Sequence, residues 1–325
     1  MKLLLSHTPE MRKNYYGVRA LDGLRALADV RLHEGSEALV PAALIAAARD
    51  ADVIVADRMT TAPAEVFAGL PNLKAIVRCA VDIRNIDVDA ASAHGVLVTH
   101  AGPGFVKSVA EMALGYLVDL ARGISRAAAA YHAGEVPTAS MGRQLAGSTI
   151  GIIGYGAIGR YLAPIVAALE MKVLVADPYA RVDDARFAHV SFEELLARSD
   201  YVVCLAVATA ETENLIGADA FARMKPAAYF VNLSRGNLVD EAALESVLRA
   251  GRIAGAALDV GRAPDQMPSP HLAALPNVIA TPHSAGLTPP AIEYQALETV
   301  SQVSDLSAGN VPPGAVNEDR WTRRI

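Results

Sequence analysis

Thr149-Ile150-Gly151-Ile152-Ile153-Gly154-Tyr155-Gly156-Ala157-Ile158-Gly159-Arg160 is an apolar run that meets three glycines spaced G-x-G-x-x-G. The run reads as a buried strand, the glycines as a tight turn, and the residues after them as the start of a helix. In such a turn the first glycine permits the reversal and the second admits a pyrophosphate close to the backbone. The third lets helix and strand pack, while the helix N-terminus faces the phosphates. Residues 172–177, Lys-Val-Leu-Val-Ala-Asp, supply a second strand ending in an acid. Asp177 there is placed to accept from ribose hydroxyls and to repel a 2′-phosphate, which favours NAD over NADP. Arg181, four residues on, could offset that charge. Asp177 before Pro178 also reads as an ordinary turn or N-cap residue.

Outward from this stretch, the chain is 325 residues long, enough for two domains of ordinary size. It is 52% hydrophobic and 20% charged, which calls for a large buried core. Its formal net charge is −6, and no basic cluster stands out. Nucleic acid and anionic membrane surfaces are therefore poor partners. No run is long and apolar enough to span a bilayer, and the N-terminus has too short an apolar run for a signal peptide. The two cysteines, Cys79 and Cys204, lie in apolar runs and read as packed thiols in a reducing cytoplasm. No metal site is expected.

Short apolar runs at residues 2–6, 53–56, 73–79 and 96–99 alternate with alanine-rich amphipathic segments. This is a βαβ pattern, and it implies a parallel sheet covered on both faces. A single long helix is expected from about residue 106 to residue 133. A second alternating series follows, with strands at 150–153, 173–176, 201–207, 229–233, 255–258 and 278–281. Pro164, inside the helix after the glycines, should kink it. A last helix is expected at 290–306. The fold expected is α/β, with a dinucleotide-binding domain at 101–286 inserted into a discontinuous substrate domain at 1–100 and 287–325. Two chain crossings would allow hinge closure over a small ligand.

Two polar residues follow later strands of the second series. Arg235, in Asn232-Leu233-Ser234-Arg235-Gly236, sits where strand ends line the ligand crevice of open α/β sheets. An arginine there can hold a carboxylate through two parallel hydrogen bonds, although a surface ion pair is equally compatible with its position. His283, in Thr281-Pro282-His283, is placed to give a proton to a substrate oxygen. His33, His94, His132 and His189 read as surface or packing residues.

Taken together these segments resemble the D-isomer-specific 2-hydroxyacid dehydrogenases. The resemblance runs over nearly the whole chain. It rests on Asn85-Ile86-Asp87, Ser108-Val109-Ala110-Glu111, the glycine fingerprint, Asn232–Gly236, Leu258-Asp259-Val260 and Thr281-Pro282-His283. It implies a Rossmann-type domain inserted into a flavodoxin-like substrate domain, and a homodimer. It also implies interconversion of a small 2-oxo acid and a D-2-hydroxy acid. Arg235 would anchor the carboxylate and polarise the carbonyl, and His283 would be the acid/base. Asp259 would sit near the nicotinamide. Ala157 and Ile158 would touch the pyrophosphate, and Val207, Thr212 and Ser234 would line the cofactor.

Two departures bear on the substrate side. The family places a glutamate five residues after the aspartate matching Asp259, where it pairs with the histidine. Here that position is Pro264, in Asp259-Val260-Gly261-Arg262-Ala263-Pro264-Asp265-Gln266. Asp265 or Gln266 could swing in instead, and reduction should favour mildly acidic pH. The family's glycine-rich substrate loop is replaced by Cys79-Ala80-Val81-Asp82-Ile83-Arg84. Val81 and Asp82 would face the substrate, and Arg58, after the run at 53–56, would recognise a polar or second anionic group. Alternatively Asp82 pairs with Arg58, Arg78 or Arg84 as structural ion pairs. Two other functions fit the same fold: an NAD(H)-sensing binding protein, suggested by the lost glutamate, and oxidation of formate or phosphite.

Overall fold

In the computed structural model, which describes residues 1–324, the chain divides into two compact units. The first joins Met1–Gly104 to the segment from Thr288 onward, and the second is the intervening Phe105–Leu287.

The first unit is built on five parallel strands: β1 (Lys2–Leu5), β2 (Asp29–Leu32), β3 (Val53–Ala56), β4 (Ala75–Arg78) and β5 (Leu97–His100). Their order, β2-β1-β3-β4-β5, is the flavodoxin-like one. Successive side chains on a strand point to opposite faces, so each strand feeds two cores. Leu4, Ile54, Ile76 and Val98 enter one, while Leu3, Leu5, Val53, Val55, Val77 and Leu97 enter the other. The returning chain completes the second core. Its helix Pro289–Ser307 opens on two prolines, which are tolerated where the amides have no helical partner. Ala296, Val303 and Leu306 on that helix join the apolar cluster. Its polar contacts are equally specific: Thr299 bonds the buried Tyr16 hydroxyl at 2.7 Å, and Gln302 accepts from Thr99 Oγ1 at 2.8 Å.

The second unit has seven parallel strands: β6 (Thr149–Ile153), β7 (Lys172–Ala176), β8 (Phe187–His189), β9 (Tyr201–Cys204), β10 (Tyr229–Asn232), β11 (Gly255–Leu258) and β12 (Val278–Ala280). The order β12-β11-β10-β9-β6-β7-β8 is the Rossmann order with one strand added at its end. It reverses direction between β6 and β9, and ligands bind beyond the carboxyl ends of strands at such a point. Ile150, Ile152, Val173, Val175, Val203 and Val231 face one core, and Leu174, Val202, Cys204, Phe230 and Ala256 face the other.

The expected α/β architecture, Rossmann-type and flavodoxin-like, is therefore present. Several details differ from the sequence reading. The helix expected over 106–133 is two helices, Val106–Arg122 and Ile124–His132. Gly123 divides them because it adopts φ 64° and ψ 38°, and this left-handed residue ends the first helix with its amide on the Asp119 carbonyl. β2 and β8 are additional edge strands, and the strand expected over 201–207 stops at Cys204. Pro164 lies inside one uninterrupted helix, Ala157–Ala168.

Candidate active site

The glycine turn has the shape its sequence requires. Gly154 has φ 92°, and a Cβ there would lie 2.6 Å from the Ala206 amide nitrogen. A Cβ on Gly159 would lie 2.5 Å from the Gly154 carbonyl oxygen, so the helix packs directly on the turn. Gly156 differs: no atom lies within 4 Å of where its Cβ would be. Gly156 is also the N-cap of the helix Ala157–Ala168 and offers no capping side chain. The first helical residues, Ala157 and Ile158, thus receive no capping bond from a side chain at residue 156. Unpaired amides at a helix start attract an anion. The cradle fits the pyrophosphate of a dinucleotide.

Asp177, at the end of β7, accepts from the amide of Tyr155 at 2.7 Å, inside the glycine turn. It also accepts from the amides of Tyr179 at 2.9 Å and Ala180 at 3.0 Å. Its turn role and its charge beside the cradle therefore coexist. Arg181 pairs with Asp183 on the surface. Val207, Thr212 and Ser234 lie on loops following β9 and β10. Thr212 Oγ1 donates to the Val207 carbonyl and accepts from the Thr209 amide, each at 2.8 Å. Ser234 Oγ donates to the Ala206 carbonyl, and the Val207 side chain is exposed.

Arg235, Asp259 and His283 follow β10, β11 and β12, three adjacent strands. Buried Asn232 shapes the first loop by accepting from the Ser234 amide at 3.1 Å and donating to the Arg235 carbonyl at 3.0 Å. Asp259 shapes the last one. Its side chain, 1% exposed, accepts from the Ser284 amide at 2.8 Å, the Ala285 amide at 2.9 Å and the Thr281 hydroxyl. Its carbonyl accepts from the His283 amide at 2.9 Å. The Tyr116 hydroxyl bonds Thr281 from the helix Val106–Arg122. Burial raises the Tyr116 pKa, so this hydroxyl stays protonated. Asp259 is thus committed to holding the histidine loop.

His283 is half-buried with φ 52°. Its Nδ1–H donates to the main-chain carbonyl of Asp265 at 2.9 Å. Asp265 and Gln266 also lie in the left-handed region, at φ 56° and 58°. Such backbone costs a non-glycine residue about 1–2 kcal/mol. The carbonyl that meets the histidine ring belongs to the residue after Pro264.

In the first unit, Arg58 is exposed and follows β3, and Val81 and Asp82 follow β4. Asp82 Oδ2 accepts from Arg84 Nη2 at 2.6 Å. The residue organising these loops is Arg78, only 2% exposed. It donates to the carbonyls of Thr60 at 3.0 Å and Asp82 at 3.2 Å, to Asn85 Oδ1 at 2.9 Å, and to the carbonyls of Asp57 and Arg58. Neighbouring Asp57 accepts from Ser6 and Thr60 hydroxyls, each at 2.5 Å; burial pushes its pKa up, but these bonds outweigh it and hold it low. His7, packed on Tyr16, is driven down to about 4 by burial against the attraction of Asp57.

Sequence reasoning passed over Arg78, Asn232, Tyr116 and His7 as site-building residues. The signal available for the first was an arginine ending an otherwise apolar strand. Ring nitrogens of His33, His94 and His189 donate to the carbonyls of Glu37, Ala90 and Asp177 at 2.8, 2.9 and 3.0 Å. The thiols of Cys79 and Cys204 are free and buried, each pushed up to about 12.

Comparison with known proteins agrees with this geometry. Residues 114–285 match the family model for the D-isomer specific 2-hydroxyacid dehydrogenase, NAD binding domain. The D-3-phosphoglycerate dehydrogenase of Mycobacterium leprae is 38% identical over 85% of this chain and 53% of its own length. The chain thus spans about half the length of that relative. The glyoxylate reductase of Korarchaeum cryptofilum is 32% identical over 85% of this chain and 86% of its own. Among solved structures, D-lactate dehydrogenase with NAD+ from Lactobacillus jensenii superimposes with a TM-score of 0.82 at 27% identity, covering 97% of this chain and 99% of that one. The chain belongs to the D-isomer specific 2-hydroxyacid dehydrogenase family.

Proposed function

We propose that this chain is an NAD-dependent oxidoreductase that interconverts a small 2-oxo acid and the D-2-hydroxy acid. The observation that carries the proposal is the half-buried His283 with Nδ1 committed to a carbonyl, one strand beyond Asp259 and two beyond Arg235. That arrangement leaves Nε2 as the nitrogen able to exchange a proton. Arg235 orients the substrate carboxylate and polarises the carbonyl with its guanidinium. His283 Nε2 gives a proton to the carbonyl oxygen during reduction and takes it back during oxidation. The nicotinamide, when bound, supplies or accepts the hydride. Gly154, Gly156, Ala157, Ile158 and Gly159 hold the pyrophosphate, and Asp177 disfavours a 2′-phosphate. Val207, Thr212, Ser234 and the Asp259 loop complete the cofactor side.

Arg58, Val81 and Asp82 of the first unit are assigned to substrate selection, with Arg58 meeting a polar or anionic substituent. A cytoplasmic homodimer accompanies this reading. The exposed apolar side chains Ile124, Tyr131, Val136 and Met141 would be covered by a second copy. The proposal is tested by following NADH oxidation with glyoxylate, hydroxypyruvate, pyruvate, oxaloacetate and branched or aromatic 2-oxo acids. Turnover that disappears in Arg235→Ala and His283→Ala supports it. Tight NADH binding without turnover on any acid supports a sensor instead.

A further inference from the structure

We propose that the main-chain carbonyl of Asp265 is the tautomer-setting partner of His283, and that the loop of residues 261–267 exists to hold it there. This rests on the acid/base role proposed above for His283.

The loop is closed on itself. The Gly261 amide donates to the Gln266 carbonyl at 2.8 Å, the Ala263 amide to the Met267 carbonyl at 3.1 Å, and the Met267 amide to the Pro264 carbonyl at 3.3 Å. The carbonyls of residues 264, 266 and 267 are thus turned inward, while that of 265 is turned to His283 Nδ1. Two consecutive left-handed residues, Asp265 and Gln266, produce this inversion, and the ring that receives it is itself on a left-handed residue. Three unfavourable backbone conformations therefore converge on one hydrogen bond. Backbone strain of this kind persists only where the surroundings over-determine it.

The surroundings do so. The Arg262 amide donates to Glu241 Oε1 at 2.9 Å. Arg262 Nη2 donates to Glu213 Oε1 at 2.8 Å, Asn214 Oδ1 at 2.7 Å and the Asn237 carbonyl at 3.0 Å. Ser269 Oγ bonds Glu241 Oε2 at 2.6 Å on the far side of the loop. Gly261 leaves no room for a side chain, since its Cβ would lie 2.6 Å from Pro268 Cα. A Cβ on Gly236, next to Arg235, would lie 2.1 Å from Gly261 backbone atoms. The loop is staked on both sides and pressed against the turn that carries Arg235.

A peptide carbonyl differs from a carboxylate in one chemical respect that matters here. It accepts a hydrogen bond but neither ionises nor takes up the proton. Nδ1 therefore keeps its hydrogen whether the ring is neutral or charged, and only Nε2 exchanges. Free neutral imidazole favours the opposite tautomer, so the preference is measurable.

The test is 15N NMR of the histidine rings in the full-length protein, with His283 assigned by its loss in His283→Gln. The neutral ring of His283 is expected to show a protonated Nδ1 and a bare, pyridine-like Nε2. Asp265→Gly tolerates the left-handed backbone and keeps the carbonyl, so it retains that signature. Asp265→Pro cannot adopt φ 56° and loses it, with kcat about tenfold below the glycine variant. Arg262→Ala, which loosens the stakes without touching residues 264–267, weakens the signature. An Nε2–H tautomer in the parent protein overturns the proposal. So does loss of the Nδ1–H signature in Asp265→Asn, which would make the carboxylate the partner. Absence of turnover on every acid would defeat the dehydrogenase reading while leaving the tautomer result to stand or fall alone.

Discussion

Asp259 Oδ1 accepts from the Ser284 amide at 2.8 Å, and through this bond a residue at the end of β11 fixes the backbone on one side of His283. The same carboxylate holds the Ala285 amide and the Thr281 hydroxyl. Asp259→Ala would leave these buried donors unsatisfied, each at a cost of about 1–3 kcal/mol. We expect a clear drop in Tm and at least a tenfold fall in kcat. Thr281→Val, which removes the Tyr116–Thr281–Asp259 link alone, should lose less of both. Thermal melts and steady-state kinetics on the two variants check the ranking.

Two glycines of the turn, Gly156 and Gly159, should separate by variant. Gly156→Val places a side chain in open space, so the fold should melt close to the parent temperature. It fills the pyrophosphate cradle, and the Kd for NADH should rise at least tenfold. Gly159→Ala puts a methyl group 2.5 Å from the Gly154 carbonyl oxygen, so it should lower Tm as well as binding. Calorimetry of folding and of NADH binding distinguishes these outcomes. Equal loss of Tm in both variants would contradict the assignment.

Cofactor preference is expected to turn on Asp177. Asp177→Asn removes the charge and keeps an oxygen for the amides of Tyr179 and Ala180, which share Oδ1, at the loss of the Tyr155 bond to Oδ2. The ratio of kcat/KM for NADH over NADPH should fall about tenfold or more. An unchanged ratio would assign discrimination elsewhere.

His7 gives a stability prediction with a defined sign. Its folded pKa, about 4, lies below the ordinary value of 6.5 because burial disfavours the cation. Between those two values the unfolded chain binds a proton that the folded chain does not. Stability therefore rises with pH across the window and is lost as pH falls from 6.5 toward 4. The shift corresponds to up to about 3 kcal/mol. Urea unfolding across pH 4–7 should show this slope, and His7→Gln should flatten it. An identical slope in the variant would contradict the assignment.

The parts of the fold that the sequence discloses are those where one physical demand dominates. Strands β3, β4, β6, β7, β9 and β10 are buried on both faces and read as continuous apolar runs. β2 is Asp-Val-Arg-Leu and β8 only Phe-Ala-His, edge strands exposed along part of their length. Such strands carry no unbroken run, and pairing with a neighbour decides them. Gly123 reads as one small residue inside a helical pattern until its left-handed φ shows that it ends one helix and begins another. The candidate site divides in the same way. The glycine turn is local and legible. The answer to Pro264 is not, because the hydrogen bond that replaces a carboxylate comes from backbone, and backbone carbonyls are the same at every position of a sequence.

The proposed reaction is hydride transfer to the carbonyl carbon of a 2-oxo acid. It is tested most directly by supplying stereospecifically deuterated NADH with an accepted 2-oxo acid and analysing the product by mass spectrometry and chiral chromatography. One deuterium at C2 of the D-2-hydroxy acid is expected, and none with His283→Ala. Deuterium in an L product, or NADH bound without label transfer to any acid, would contradict it.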